Sequence, residues 1–285
     1  MKPNLWFLII SVVLVVVSCN QKNKIVSPPQ YDFKNPIISK MPDDLKEISG
    51  IAFNGERYDR VYAIEDEDGW LYRYEFENGE VKKLKFAKRG DYEDITFTDS
   101  LVIILKSDGT LYTVNINQLE HEKLDTVIEM KDVLPKGEYE SLYMDKPMHQ
   151  MYTICKNCKG DKEVKKSSGY ILEFKPDGEI FETGQFSLNV RDIERLAKVE
   201  NIHFQPSAMA KNKFTNEWYF LSSANNALVV TDFNFQVKAV YPLPKSVFEQ
   251  PEGIAFDNEG NLYISDEKSK GTHGDIQKFL FKKPN

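Results

Sequence analysis

Residues 251–267 read Pro251-Glu252-Gly253-Ile254-Ala255-Phe256, then the polar turn Asp257-Asn258-Glu259-Gly260-Asn261, then Leu262-Tyr263-Ile264-Ser265-Asp266-Glu267. Two short apolar runs around a turn rich in Asp, Asn and Gly predict a β-hairpin. The first half of this hairpin recurs four times upstream: Ile48-Ser49-Gly50-Ile51-Ala52-Phe53, Tyr92-Glu93-Asp94-Ile95-Thr96-Phe97, Tyr139-Glu140-Ser141-Leu142-Tyr143-Met144 and Gln205-Pro206-Ser207-Ala208-Met209-Ala210. Each copy is followed by a second apolar strand: Val61-Tyr62-Ala63-Ile64, Leu101-Val102-Ile103-Ile104, Met151-Tyr152-Thr153-Ile154 and Trp218-Tyr219-Phe220-Leu221. Asp68-Gly69 and Asp108-Gly109 then turn the chain into a third strand, as tight hairpins require.

The aligned positions Ser49, Glu93, Glu140, Pro206 and Glu252 are 44, 47, 66 and 46 residues apart. A period in the forties with three or four strands per unit predicts propeller blades, because one such unit cannot bury both of its faces alone. The chain is therefore read as all-β, a five-bladed β-propeller, with a six-bladed ring as the alternative should the long third interval hide a blade. That interval places an insertion within residues 186–204, where Val190 to Leu196 has helical spacing. The stretch Tyr31 to Ile38 is expected to supply an outer strand to the last blade and so close the ring.

Working outward, residues 1–18 carry an early lysine, an apolar run from Leu5 to Val17 and a small-residue exit, the pattern of an export signal. The run is shorter than the roughly 20 residues needed to span a bilayer. Val16-Val17-Ser18-Cys19 resembles the lipobox of bacterial lipoproteins, which implies lipidation of Cys19 and a membrane partner through that lipid. Residues 19–30, with Ser27-Pro28-Pro29, read as a flexible tether, and residues 31–285 as one propeller domain. The absence of an acidic residue directly after Cys19 resembles the sorting pattern of the outer membrane facing the periplasm, within the cell envelope. A net charge of −7 and a pI near 5.3 leave no basic excess for a nucleic-acid partner.

The first strand of each blade lines a propeller's channel, so Glu93, Glu140 and Glu252 are expected to converge there, with Glu47, Asp91 and Glu138 two residues earlier on the same face. Crowded carboxylates raise one another's pKa values and call for a positive partner. Calcium fits oxygen donors better than zinc does, and His121, His149, His203 and His273 form no ligand spacing. The competing source of charge is internal: Lys106 and Lys156 at the channel rim, alongside Glu65, Asp66, Asp266 and Glu267. Cys155 and Cys158 fall at the same rim, as a loop-closing disulfide or as free thiols. There is no Gly-x-Ser-x-Gly elbow, no Walker loop and no Gly-x-Gly-x-x-Gly.

These motifs, from Glu47-Ile48-Ser49-Gly50-Ile51-Ala52 through Asp91-Tyr92-Glu93-Asp94-Ile95 to Pro251-Glu252-Gly253-Ile254-Ala255 with Gly260-Asn261-Leu262-Tyr263, resemble the SdiA-regulated protein family, and related patterns occur in NHL-repeat, gluconolactonase-type and phytase-like propellers. The resemblance implies a calcium-associated β-propeller of the bacterial envelope. Ser49 and Pro206 depart from an acidic ring and leave the site lopsided. The expected function is a binding or interaction module for a small molecule or protein; the alternative is a calcium-dependent hydrolase of phosphoesters or lactones.

Overall fold

The computed structural model describes residues 25–55, 57–175, 178–268 and 273–283. The export signal and Cys19 lie outside them. The first described strand is β1 (Ile37–Lys40), followed by four consecutive strands in each of four blades and three in the fifth. Blade 1 holds β2 (Ile48–Asn54), β3 (Arg57–Glu65), β4 (Trp70–Glu75) and β5 (Val81–Lys85). Blade 2 holds β6 (Tyr92–Phe97), β7 (Leu101–Lys106), β8 (Leu111–Asn115) and β9 (Ile128–Met130). Blade 3 holds β10 (Gly137–Asp145), β11 (Gln150–Cys158), the helical turn α1 (Asp161–Val164), β12 (Lys166–Phe174) and β13 (Ile180–Asn189). A helix, α2 (Val190–Ala197), leads to blade 4, made of β14 (Ala208–Asn212), β15 (Glu217–Ser222), β16 (Ala227–Thr231) and β17 (Val237–Pro242). Blade 5 holds β18 (Gln250–Phe256), β19 (Leu262–Glu267) and β20 (Asp275–Phe279).

Blades 1 to 4 are antiparallel meanders, and the fifth takes its outermost strand from the other end of the chain, with β1 pairing β20 from Ile37 opposite Lys278 to Lys40 opposite Asp275. The fold is a five-bladed propeller, and among the described residues no sixth sheet occupies the long interval. The extra length of blade 3 is spent in two places, on α1 within a lengthened β11–β12 hairpin and on α2. Asn189 caps α2 by accepting the Arg191 N–H at 3.0 Å.

The core is divided among the blade interfaces. Middle strands are apolar on both faces because each face meets a different blade, so Tyr62 and Ile64 pack toward blade 2 while Val61 and Ala63 pack toward blade 5. The blade 4–5 interface is rich in aromatic rings and takes in Tyr31 and Phe33 ahead of β1. The Tyr31 hydroxyl donates to the Gly260 carbonyl at 2.8 Å and accepts from Asn212 Nδ2 at 2.8 Å, linking both blades to the start of the chain. These contacts, like the ring closure by β1, lie within residues 25–283, so a chain trimmed of its first 24 residues keeps them all.

At one level of the ring the inner strands β2, β6, β10, β14 and β18 crowd together, each against the next. Ser49 Oγ donates to the Glu93 carbonyl at 2.9 Å, Ser207 Oγ to the Pro251 carbonyl at 2.8 Å and Ser265 Oγ to the Ser49 carbonyl at 2.6 Å. Asp94, wholly buried, accepts the Leu142 N–H of the next blade at 2.6 Å, and burial pushes its pKa well up. Blades 3 and 4 are joined by the buried pair Lys211–Asp145 at 2.7 Å. A Cβ on Gly50 would stand 2.2 Å from Asp94 Oδ1 and 2.5 Å from Asp94 Cα. Gly50→Ala is therefore expected to cost about 1–3 kcal/mol, whereas Gly184→Ala, whose nearest neighbour would be 3.5 Å away, should be near neutral; denaturant melts of the two variants check this.

Candidate functional site

Four of the five aligned ring positions sit where the inner strands slip register. Glu93 lies between Tyr92, opposite Lys106, and Asp94, opposite Leu105; Glu140 lies between partners of Cys155 and Ile154; Glu252 lies between partners of Asp266 and Ser265. Each is the extra residue of a β-bulge, and a bulge re-aims its side chain off the pleat. Ser49 shares the slip in β2, between Ile48 and Ile51. Pro206 precedes β14, where Ser207 takes over the pairing through the Leu221 carbonyl.

The re-aimed carboxylates gather at one mouth of the channel. Glu140 is buried, and Glu93 and Glu252 are half-buried. Lys156 from β11 reaches into the group, hydrogen-bonding Glu140 and lying 3.5 Å from Glu138. Burial, then repulsion from Glu140 and Asp91, raises Glu93 to about 9. Burial, with repulsion from Glu140 and Glu267, raises Glu252 to about 8. Burial also lifts Glu140, but Lys156 opposes it and the carboxyl settles at about 7. Burial pulls Lys156 down, yet Glu140, Glu138 and Glu93 outweigh this and hold its pKa above the ordinary lysine value. Burial and mutual repulsion thus favour the protonated carboxyls around the Lys156 ammonium. A cavity of about 280 Å³ opens beside it, lined by Glu140, Lys156, Ser223, Lys245 and Glu252 among others.

A second acidic group stands on the same rim. Asp66 is raised to about 6 by burial and by Glu47 and Glu65, and its Oδ1 is buried without a hydrogen-bond partner among the described residues. Glu267 reaches about 7 through burial and repulsion from Asp66 and Glu47.

Several residues expected at the site are engaged elsewhere. Lys106 turns to Asp108 in its own hairpin turn, at 2.6 Å, and leaves Lys156 as the ammonium among the ring carboxylates. Glu65 is buried and accepts the N–H groups of Glu67 and Asp68 at 2.8 and 2.7 Å, which makes it a turn-former. Asp266 is fully buried, accepting from the backbones of Glu249 and Gln250 and pairing with Lys268. Of the positions two residues upstream of the ring, Asp91 is exposed, Glu47 pairs with Lys46 at 3.5 Å and Glu138 faces Lys156. Phe204 lies in the blade 3–4 core and Gln250 bonds Glu267 at the exposed edge. The bulge breaks the two-residue alternation, so these five do not form a second layer beneath the ring. Cys155 and Cys158 are joined by a disulfide at the end of β11, packed on Gly137, where a side chain would strike both sulfurs.

The oxygen donors have the right chemistry for calcium, which takes about six to eight of them. Their arrangement does not fit an ion as it stands: the group is closed on Lys156, and among the described residues no three acidic, histidine or cysteine side chains come together closely enough to hold a metal.

The raised carboxyl groups fix the sign of a pH effect. Below the unfolded glutamate pKa, folded and unfolded chains are both protonated and Glu93 contributes nothing. As pH rises, the unfolded chain loses this proton first, so stability falls until the folded value near 9 is passed. The Tm should drop by several degrees between pH 5 and pH 9, and Glu93→Gln should flatten that slope, as read by calorimetry across buffers.

Among solved structures, a glucose dehydrogenase superposes with a TM-score of 0.56 at 13% identity, covering 85% of this chain and 99% of its own. The calcium-binding protein regucalcin from Agrobacterium tumefaciens str. C58 gives 0.53 at 10% identity over 90% and 95% of the two chains. A luciferin-regenerating enzyme gives 0.53 at 9% over 86% and 95%. At such identities these likenesses show the propeller fold alone. No curated protein is significantly similar in sequence. The pattern of one family does match, over residues 25–270, nearly the whole of the closed ring and its acidic mouth, and the chain belongs to the SdiA-regulated family.

Proposed function

We propose that this protein is a binding module of the cell envelope, tethered by a lipid on Cys19, whose acidic mouth accepts a cation from a ligand or from solution. The observation that carries this reading is the imbalance at the ring: Glu93, Glu140 and Glu252 crowd together, and Lys156 pairs directly with Glu140. Lys156 stands where a ligand's cation would stand, and the carboxylates beyond the one it pairs with are held by protons. Clustered carboxyls with strongly raised pKa values in a cleft are a mark of functional sites. The unpartnered Asp66 Oδ1 extends the same demand for positive charge along the rim.

Calcium association is the finer form of the proposal, supported by the oxygen-only donors and by the family resemblance. It requires Lys156 to give way. A phosphoester hydrolase would need cations beside the carboxylates to hold a phosphate; Lys106 pairs instead with Asp108, and binding is the reading favoured.

Three outcomes are expected. With the chain trimmed to residues 25–285, millimolar calcium should raise the Tm above its value in chelator; a ligand at about 100 times its Kd contributes roughly 2.7 kcal/mol. Lys156→Met, which removes the internal cation, should enlarge that rise, and Glu252→Gln should shrink it. An unchanged Tm in both the parent and Lys156→Met would overturn the cation site. Cys19→Ser should move the full-length protein from the membrane fraction to the soluble fraction of an expressing bacterium, and continued membrane association would overturn the tether.

A further inference from the structure

At the end of the propeller opposite the acidic mouth lies a larger cavity of about 890 Å³. Its lining includes one buried apolar side chain from the inner strand of each blade, Ile51, Ile95, Leu142, Met209 and Ile254. These follow the bulges by two or three residues, where the inner strands have regained their pleat and turn apolar groups toward the axis. Aromatic and sulfur-bearing groups stand above them, among them Phe53, Phe97 and Met144. At the rim Met148, Phe214 and Phe233 are 50%, 47% and 44% exposed, an unusual concentration of bare apolar surface at one opening.

The polar groups of this basket are largely spent on one another. Lys211 pairs with Asp145 at 2.7 Å, Lys146 lies 3.4 Å from Asp99, and Asp257 accepts from Asn261 and the Glu259 backbone. Lys213 differs: its ammonium lies over the Phe214 ring at 5.3 Å, at the edge of the opening. An apolar cavity of some 300–1,000 Å³ with a few placed polar groups is the usual form of a small-molecule site. This end offers an amphiphile a greasy interior with a cation at its lip.

We propose that the basket is a second binding site, for a single-chain amphiphile with an anionic head: the acyl chain lies on the aliphatic floor and the carboxylate meets Lys213. The site is independent of the cation site and of the N-terminal lipid.

The test uses residues 25–285 and a fluorescent long-chain fatty acid. Saturable 1:1 binding is expected, displaced by palmitate. Phe233→Asp combined with Met148→Asp, both at exposed rim positions, should weaken it by about tenfold or more, near 1.4 kcal/mol, with an unchanged melt confirming that the fold is kept. Lys213→Gln should weaken palmitate while leaving the uncharged alcohol of equal length unaffected, and Glu252→Gln should change neither. Absence of saturable binding, or binding indifferent to the rim variants, overturns the proposal. So does a protein that sediments with phosphatidylcholine vesicles through this rim yet takes up no fatty acid, for then the face is a bilayer contact. None of these results bears on the calcium response, so the two proposals fail separately.

Discussion

Five inner strands crowd together at one level of the ring, with room only for small or hydrogen-bonding residues at the contacts described, and the rest of the architecture follows from that crowding. Gly50 yields its space to the Asp94 carboxyl, and Gly253 lies where a methyl group would meet the Ser49 carbonyl 2.6 Å away. Serine hydroxyls and one buried acid replace side-chain packing with hydrogen bonds from blade to blade. A polar group buried without such a bond costs on the order of 1–3 kcal/mol, so closure of the ring and satisfaction of its waist are one requirement.

The bulges are how the chain meets it. By adding one residue to the inner strand, each bulge lets the backbone pass the waist and throws the extra side chain outward along the axis. That displaced residue is glutamate in three blades, which puts the acidic cluster above the waist. Beyond it the strands resume ordinary pleating and present Ile51, Ile95, Leu142, Met209 and Ile254 in the other direction. A single irregularity thus sorts the channel into an acidic chamber and an apolar one, with a hydrogen-bonded partition between.

The blades could be read from residue types because each inner strand repeats one apolar pattern, and closure by β1 could be read because the fifth repeat lacks a fourth strand of its own. The mouth was harder. Alignment found Glu93, Glu140 and Glu252, but the step back to Asp91 and Glu138 assumed unbroken alternation, and a bulge is a backbone event with no fixed residue code. Lys106 and Lys156 occupy equivalent places, yet Asp108 stands two residues after Lys106 in the same turn and captures it. That neighbour was visible in sequence. Glu65 and Asp266 were legible as rim acids but not as turn-formers, since the N–H groups they satisfy exist only once the loops fold. The apolar basket left no sequence signal of its own, because its floor is drawn from side chains that a repeat pattern assigns to the core.

The start of the chain is fastened before β1 begins. Tyr31 bridges Asn212 and Gly260, and Phe33 packs against Phe248 and Phe279. If the protein hangs from a membrane by Cys19, mechanical load arriving along the tether is met first by these two aromatic residues wedged between blades 4 and 5, and only afterwards by the four-residue strand that shuts the ring. Under that proposal the tether and the clasp would share one stretch of polypeptide, and the aromatic wedge would act as a strain relief that keeps tension from unzipping the propeller.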